Sequence, residues 1–207
     1  WNPAASAYVV DKSGRDVFCY SCSHCTARHK TITQILAENT KTQDKLKTSL
    51  ALLELVMKGS SVENSEYALD LIKYGSDVNL IDHRSGKSVL MFACENADER
   101  VTRALLQNCA LPDYVEPQYK QTAGHFACRL GALDCLQALA AHGADLNISD
   151  EKDNTMFHVA GRNGSHKCCK FLGQRGCDPT TKNGEKKTPR MLAKDFAKKL
   201  ALKELRR

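Results

Sequence analysis

The sequence predicts an all-α fold built from a stacked array of helical pairs. Ser88, Thr122, Thr155 and Thr188 follow one another at intervals of 34, 33 and 33 residues. A fixed period near 33 residues is typical of repeat proteins, in which each unit packs only on its neighbours. Between these positions, apolar residues recur at helical spacing in two short segments per unit. Because one helical pair cannot bury its apolar face alone, the units must stack.

The central unit of the array shows the pattern most clearly. Its apolar residues predict one helix over residues 123–130 and a second over residues 133–141, with Gly131 between them. Gly143 stands where a left-handed cap ends the second helix. Asp145 and Asn147 then start the turn into the next unit, because short polar side chains bond to the backbone.

Short motifs at both ends of the units resemble the ankyrin repeat, whose units begin with Thr-Pro-Leu-His and end with Gly-Ala-Asp. The matching segments are TAGH at 122–125, TMFH at 155–158, TPRM at 188–191, HGAD at 142–145 and RGCD at 175–178. The resemblance covers residues 48–207 and implies about five repeats, the first and last being atypical. Tetratricopeptide-type helical pairs are the structural alternative, but they lack the Gly-Ala-Asp ending.

The two ends of the array depart from the regular pattern. In the first unit, residues 48–79, we expect six extra residues to bulge between the two helices around residues 58–64. The second unit ends in a longer connection that contains Pro112 and Pro117. The fifth unit starts at Thr188 and becomes an apolar stripe under a basic face, as expected of a solvated closing cap.

Composition favours a soluble protein. The chain is 42% hydrophobic and 26% charged, and none of its apolar runs approaches the ~18 residues of a membrane span. It begins with Trp1 and shows no signal peptide, so we expect it to be part of a longer protein. The expected compartment is the cytoplasm, with the nucleus as the alternative.

Five of the ten cysteines lie at core positions of the repeats. Cys94 and Cys128 follow their repeat starts by six residues, where the ankyrin pattern has a small buried alanine. Cys135 and Cys168 share a second position, and Cys177 replaces the alanine of Gly-Ala-Asp. Cysteine behaves as a small hydrophobe at such sites. Disulfides are therefore not required, and a reducing compartment is the natural inference.

Residues 19–29, CYSCSHCTARH, form a dense cluster of metal-type ligands. Cys-x2-Cys spacing lets two thiolates reach one Zn²⁺ from a tight turn, and a third cysteine with one histidine completes a tetrahedron. We predict that residues 1–30 bind zinc, and the alternative is a free-thiol loop. The candidate ligands are Cys19, Cys22, Cys25, His24 and His29.

This segment is similar to the distal part of a B-box zinc finger, in which histidines and a helix follow a Cys-x2-Cys pair. The spacing from Cys22 through Cys25 to His29 also resembles the end of an ArfGAP finger. Both families require a first cysteine pair that this chain lacks, so the complete module would extend upstream of Trp1. An ArfGAP domain also needs more residues between its finger and the repeats, and no catalytic arginine carries over.

Residues 31–47 predict a linker helix that packs on the first repeat. Ile32, Ile35 and Leu36 are its apolar residues. A coiled coil, which often follows a B-box, is the alternative, but it would need at least three heptads.

The basic residues are concentrated at the C-terminal end. Residues 180–207 carry ten Lys/Arg and three acids, a net charge of +7, whereas the whole chain carries +6. Such an end attracts acidic proteins or phosphate backbones, and the alternative is a soluble cap. Because aromatic residues are not interleaved with these charges, a nucleic-acid partner is disfavoured.

Catalysis is not expected. The sequence has no phosphate-binding glycine loop, nucleophile elbow or Ser-His-Asp set. His125 and His158 recur at the same repeat position, which favours a shared structural role. We expect each histidine to bond its own turn to the neighbouring repeat.

The ankyrin resemblance implies a protein–protein interaction module, with a scaffold or adaptor role. The alternative is the substrate-recognition part of a RING/B-box-type ubiquitin ligase whose catalytic part lies upstream.

The resemblance also places a binding surface on the turns before each repeat start and on the exposed face of each first helix. The predicted turn contacts are Arg84, Lys87, Tyr119, Gln121, Lys152 and Asn154. The predicted helix contacts are Glu95, Asn96, Arg129, Leu130, Arg162 and Asn163. This set is rich in Arg, amide and Tyr side chains, which anchor partners well, and Tyr119 and Leu130 are its apolar members. The alternative is that these residues are ordinary solvated surface.

Overall fold

The computed structural model describes residues 44–59 and 61–194. In this part, the chain forms four complete helical pairs, and a further helix begins at residue 189. The extended structure within these ranges is limited to two isolated antiparallel bridges, Ile81 with Ser88 and Ser149 with Thr155. The predicted all-helical array is therefore confirmed. None of the described helices is long and apolar enough to cross a membrane.

Two stacked layers of helices build the array. The described helices are α1 (Asp44–Met57), α2 (Val62–Lys73), α3 (Val89–Glu95), α4 (Glu99–Gln107), α5 (Ala123–Leu130), α6 (Leu133–Ala141), α7 (Met156–Arg162) and α8 (His166–Gln174). The first helices of the pairs, α1, α3, α5 and α7, contact one another in order. The second helices, α2, α4, α6 and α8, form the other layer in the same way. Each unit thus packs on its neighbours, as the repeat period predicts.

An extended turn, here called a finger, precedes each later first helix. Finger 1 comprises residues 82–87, finger 2 residues 116–121, finger 3 residues 150–154 and finger 4 residues 183–187. The fingers and the first helices that follow them form one continuous side of the array. The predicted partner-binding residues lie on these elements.

The central pair has the predicted helix bounds. Thr122, in an extended conformation, is the residue before α5, and Gly131 ends this helix with φ of +72°. A side chain in this left-handed conformation costs roughly 1–2 kcal/mol, so glycine suits the abrupt turn into α6. Ala97 holds the same place in the preceding unit with φ of +55°. The turn therefore depends on its place in the repeat, and glycine only makes it easier.

A continuous apolar core runs between the two helix layers. Leu105, Leu139 and Leu172 hold the same place in three successive second helices, and all three are fully buried. Burying a leucine side chain contributes about 1.5–3 kcal/mol. This ladder of leucines joins the units into one array.

Five cysteines of the array are part of this core, as predicted. Cys94, Cys128, Cys135, Cys168 and Cys177 are buried. All seven cysteines among the described residues are free thiols. Contact with the Cys168 thiol, followed by burial, raises the pKa of Cys128 well above its usual value.

The first unit differs from its prediction. Helix α1 begins at Asp44, and Thr48 lies inside it, with its Oγ1 donating a hydrogen bond to the Lys45 carbonyl at 2.9 Å. Helices α1 and α2 have 14 and 12 residues, whereas the later helices have seven to nine. The extra residues therefore mainly lengthen the helices.

The predicted bulge over residues 58–64 is accordingly wrong in extent. The connection between α1 and α2 covers only residues 58–61, because α2 begins at Val62. Ser61 caps this helix, and its Oγ accepts a hydrogen bond from the Asn64 amide at 3.1 Å. This cap satisfies one of the free N–H groups of the first turn and starts the helix early.

The segment before the array was predicted as a zinc-binding region, 1–30, and a linker helix, 31–47. Residues 44–47 form the first turn of α1. Residues 1–43 lie outside the described part of the chain. The zinc region and the rest of the linker remain predictions.

Candidate partner-binding surface

In each finger, a buried polar side chain accepts hydrogen bonds from the backbone N–H groups of the same finger. In finger 2, Glu116 accepts from the amides of Tyr119, at 2.7 Å, and Gln121, at 3.2 Å. The corresponding residues of the other fingers are Asp82, Asp150 and Asn183. These bonds fix the finger backbone before a partner arrives, which reduces the entropy lost on binding.

These four finger residues were not among those predicted from the sequence. Their signal is a recurrent acid or amide five or six residues before each repeat start: Asp82, Glu116, Asp150 and Asn183. Hydrogen bonds from Ser85 lower the pKa of the Asp82 carboxyl. Finger 1 therefore stabilises the ionised form of the Asp82 carboxyl.

Two buried histidines join the fingers to the first helices, as predicted. The Nδ1 atom of His125 accepts a hydrogen bond from the Thr122 amide at 3.1 Å, and its Nε2 lies 3.2 Å from the Asn154 carbonyl oxygen. A carbonyl oxygen can only accept, so Nε2 carries the hydrogen. His158 repeats the arrangement with Thr155, at 3.2 Å, and with the Lys187 carbonyl, at 3.1 Å. Both histidines therefore have a structural role.

Most of the predicted partner-binding residues are open to solvent. Seven are exposed, and they are Arg84, Tyr119, Arg129, Leu130, Lys152, Arg162 and Asn163. Four are half-buried, and they are Lys87, Glu95, Asn96 and Gln121. The amide of Asn96 also donates a hydrogen bond to the Val56 carbonyl in the first unit. Asn96 therefore bonds to the first unit, and part of its side chain remains exposed to solvent.

Asn154 is a correction to the predicted surface. It is 0% exposed, and its amide nitrogen lies 3.1 Å from both oxygens of the Asp150 carboxylate. Its Oδ1 accepts hydrogen bonds from Arg162, at 3.2 Å, and Asn183, at 2.7 Å. Asn154 is therefore an internal link between fingers 3 and 4, and its side chain is not part of the exposed surface.

Three predicted residues from two units form the Glu95 cluster, which comprises Lys87, Glu95 and Arg129. The Lys87 ammonium lies 2.7 Å from one carboxylate oxygen of Glu95. Arg129 lies 2.9 Å from the other oxygen. The cluster therefore connects finger 1 and α3 with α5 on the shared surface.

Two aromatic rings lie beneath this cluster. The Lys87 ammonium is 4.7 Å from the centroid of Phe126 and 5.3 Å from that of Phe92. The Arg129 guanidinium is 4.5 Å from the Phe126 centroid. At these distances each cation is attracted to the ring face. This role of Phe92 and Phe126 was not predicted from the sequence, although the two residues share one repeat position.

The remaining predicted residues are spread along the surface. Among the described side chains, neither Arg84 nor Lys152 makes a hydrogen bond or ion pair with another member of the predicted set. Tyr119 and Leu130 are the large apolar members, with 52% and 54% of their surface exposed. They have the exposure that a partner contact requires.

The family model for ankyrin repeats, in three copies, matches residues 52–150 and, in an overlapping match, residues 111–183. Together these matches cover more than half of the chain. The chain belongs to the ankyrin repeat family. Ankyrin repeats are generally protein–protein interaction modules, so this family supports the predicted class of function.

Curated relatives share the ankyrin region with this chain. The p105 subunit of nuclear factor NF-kappa-B from Gallus gallus is 32% identical over 101 residues, 47% of this chain and 10% of the relative. The transient receptor potential channel pyrexia of Drosophila melanogaster is 30% identical over 146 residues, 70% of this chain and 15% of the relative. Inversin from Canis lupus familiaris is 34% identical over 91 residues, 44% of this chain and 8% of the relative. The chain therefore spans only a small part of each relative.

The predicted zinc ligands precede the ankyrin array and lie outside the described residues. They are Cys19, Cys22, Cys25, His24 and His29. Within residues 44–59 and 61–194, no group of three or more His, Cys, Asp or Glu side chains is arranged to hold a metal. The zinc prediction therefore concerns the preceding segment alone.

Proposed function

We propose that this ankyrin array recognises a protein or peptide along the fingers and the first helices, as part of a scaffold or adaptor. The observation that supports this most strongly is the Glu95 cluster, which places accessible charged side chains of two units on one face. Fingers 1 and 2, which belong to the same two units, are held by the buried carboxylates of Asp82 and Glu116. A rigid surface with accessible polar groups binds with a smaller entropy loss than a flexible one.

Tyr119 and Arg129 are the residues we propose as the main anchors. Tyr and Arg side chains are enriched among the residues that carry most of the binding energy in protein interfaces. Tyr119 extends from finger 2, and Arg129 lies on α5, the first helix that follows this finger. Exposed Leu130 adds apolar area beside Arg129. The three residues therefore offer exposed apolar and cationic groups on finger 2 and α5.

The double variant Tyr119→Ala with Arg129→Ala is expected to weaken partner binding by ~2 kcal/mol or more, because it removes both anchors. Peptides selected from a phage-displayed library against the whole chain serve as the partner, and their Kd is measured by fluorescence anisotropy. Thermal stability is expected to change little, since both side chains are exposed.

The matched control for this prediction is Tyr74→Ala with Arg100→Ala, which removes an exposed tyrosine and arginine from the second-helix layer. This control is expected to bind the selected peptides normally. Unchanged affinity in the Tyr119/Arg129 variant would contradict the proposed site. If the peptides instead lost affinity when Lys198, Lys199 and Lys203 were changed to alanine, the site would be at the C-terminal cap.

The Cys/His cluster at residues 19–29 favours a second candidate function. In this proposal the array is the substrate-recognition part of a RING/B-box-type ubiquitin ligase, and the catalytic part lies upstream. A ubiquitin-discharge assay on the longer protein distinguishes the two proposals. Discharge that depends on the upstream part supports the ligase, and a partner that binds without discharge supports the adaptor.

We expect the chain to bind one zinc ion through Cys19, Cys22, Cys25 and either His24 or His29. Thiolate ligation would stabilise a short segment that we expect to lack an apolar core of its own. Elemental analysis of protein purified without chelator measures the metal. The variant Cys22→Ser with Cys25→Ser is expected to lose the zinc, whereas Cys109→Ser, an exposed thiol of the array, is expected to retain it.

The zinc prediction has two alternatives with different results. A metal-free chain would show that the cluster is a cysteine-rich loop. A module completed by upstream residues would use only two or three of these side chains, so that zinc would bind fully only to the longer protein.

We propose the cytoplasm as the compartment, with the nucleus as the alternative. Free thiols such as Cys128 and Cys168 are buried throughout the core. Such thiols persist most readily in a reducing compartment.

A further inference from the structure

The Glu95 cluster already holds a carboxylate between two cations of different units. One donor of Lys87 and one of Arg129 bind the two oxygens of Glu95. A lysine ammonium has three donors and a guanidinium has five, so each cation keeps donors beyond those used for Glu95. The arrangement is therefore a carboxylate-binding site that is occupied by a residue of the chain itself.

The bond to Glu95 is easily exchanged for a bond to a partner. The side chains of Lys87, Glu95 and Arg129 are 23%, 32% and 40% exposed, so solvent reaches all three. Ion pairs with this exposure are weak because water competes for both partners. Glu95 can therefore turn away from the cations without a large loss of stability.

The aromatic rings keep the two cations in place when Glu95 leaves. Phe126 is 2% exposed, and the cations of Lys87 and Arg129 both lie within 5 Å of its centroid. The attraction between a cation and a ring face does not depend on Glu95. The two positive groups therefore stay side by side, ready for another carboxylate.

The rest of the surface is also positively charged. The fingers and the first helices that follow them carry ten cations and four acids that are at least partly exposed, an excess of six positive charges. The buried finger carboxylates of Asp82, Glu116 and Asp150 reduce this excess to three. The cations are Arg84, Lys87, Lys120, Arg129, Lys152, Arg162, Lys186, Lys187, Arg190 and Lys194. The acids are Glu95, Glu151, Asp153 and Glu185. Such a surface attracts an acidic segment from a distance.

We propose that the partner segment is an acidic peptide, and that one of its carboxylates binds between Lys87 and Arg129 in place of Glu95. This inference rests on the proposed function, since it concerns the same surface. Glu95 is then an internal competitor that lowers the affinity. Exposed Leu130, next to Arg129, contacts an apolar side chain of the same segment.

A peptide fits this site better than a nucleic acid does. Bases bind such surfaces by stacking on exposed aromatic faces. Phe126 is buried, and the groups of Lys87 and Arg129 lie over it, so its face does not accept a base. Tyr119 on finger 2 is 52% exposed, so stacking of a base elsewhere on this surface is an outcome that the experiment must separate.

Fluorescence anisotropy with labelled probes on the whole chain tests this inference. The probes are a twelve-residue peptide of three Glu-Glu-Leu-Ser repeats, the same peptide with Gln for Glu, and a twelve-residue oligothymidylate. The Glu peptide is expected to bind at least tenfold more tightly than the Gln peptide, and salt is expected to weaken this binding. Equal binding of the two peptides, or tighter binding of the oligothymidylate, would overturn the proposal.

Variants of the Glu95 cluster test the competitor role. Glu95→Gln is expected to tighten binding of the Glu peptide about threefold or more, because the exposed ion pairs no longer compete. Lys87→Ala with Arg129→Ala is expected to weaken it at least tenfold. The control Lys167→Ala with Lys170→Ala removes the same charge from exposed positions on α8 and is expected to have a small effect.

The isosteric Glu95→Gln variant keeps the test valid if the alanine variants are unstable. Weaker or unchanged binding of the Glu peptide to Glu95→Gln would overturn the competitor role. The phage-selected peptides separate this inference from the proposed function. If they bind the Tyr119 and Arg129 surface but are not enriched in Asp and Glu, the acidic partner is wrong and the proposed function stands. If they bind elsewhere, the proposed function itself fails.

Discussion

Replacing Gly161 with alanine is expected to destabilise the array by roughly 2–3 kcal/mol. A Cβ atom on Gly161 would lie 2.6 Å from the carbonyl oxygen of Pro189 and 3.3 Å from its carbonyl carbon. These are backbone atoms at the start of the fifth unit, so no side-chain rotation relieves the clash. Alanine favours a helix over glycine by about 1 kcal/mol, which offsets only part of the loss. Urea unfolding measures the difference in the free energy of unfolding.

Gly124→Ala is the matched control for this prediction. Its Cβ would also come too close to another unit, but the atoms it meets are the Cε and Sδ of Met156. They form the end of a flexible side chain that can adopt another rotamer. We therefore expect Gly124→Ala to change stability by less than about 1 kcal/mol. An equal loss in both variants would show that backbone contact with Pro189 is not the cause.

The repeat period explains why the central helices were predictable and these close contacts were not. Residues 123–130 and 133–141 carry apolar residues at helical spacing, and glycines mark both helix ends. These signals are local. The restriction at Gly161 comes from the unit that follows, and a lone glycine inside a helical pattern does not reveal which backbone lies against it.

The first unit shows where counting residues fails. The interval from Thr48 to Gly75 is six residues longer than the matching interval in the regular units, and the sequence predicts that these extra residues form a bulge. The structure places most of the excess in α1 and α2. An interval gives the number of extra residues but does not say whether helix or loop contains them. The capping serine at 61, three residues before Asn64, was the available signal.

Exposure on the candidate surface was predictable by position, but contacts between side chains were not. Tyr119, Arg129 and Leu130 have the expected exposure because the repeat frame fixes which way each position faces. Asn154 was assigned by the same frame, yet its short amide fits the Asp150 carboxylate and is buried. The Glu95 cluster arises because long side chains from two units meet, and no interval in the sequence encodes that meeting.

The His125→Ala substitution is expected to lower the free energy of unfolding by roughly 3 kcal/mol. His125 is 1% exposed, so its removal leaves a cavity. It also leaves the Thr122 amide without its partner inside the core, and it removes one of the two hydrogen bonds that the Asn154 carbonyl accepts, the other coming from the Asp150 amide. Because Asn154 belongs to finger 3, the loss loosens the contact between two units. Urea unfolding measures the change, and His142→Ala, at an exposed histidine on the end of α6, is the control with an expected change near 0.5 kcal/mol or less.

The stability that the buried histidines contribute is expected to depend on pH, and their burial sets the direction of the change. Burial lowers the pKa of His125 and that of His158, because both neutral rings lie within the protein. The unfolded chain, with a histidine pKa of about 6.5, then binds protons that the folded chain does not. The stability from these histidines is fully present above pH ~6.5 and is lost as the pH falls toward their lower folded values. Wild-type protein is therefore expected to unfold at lower urea at pH 5.5 than at pH 7.5, and His125→Ala to show a smaller difference. A wild-type midpoint that does not change between these pH values would mean that the buried histidines are not held neutral, and the inter-unit bonds assigned to them would be wrong.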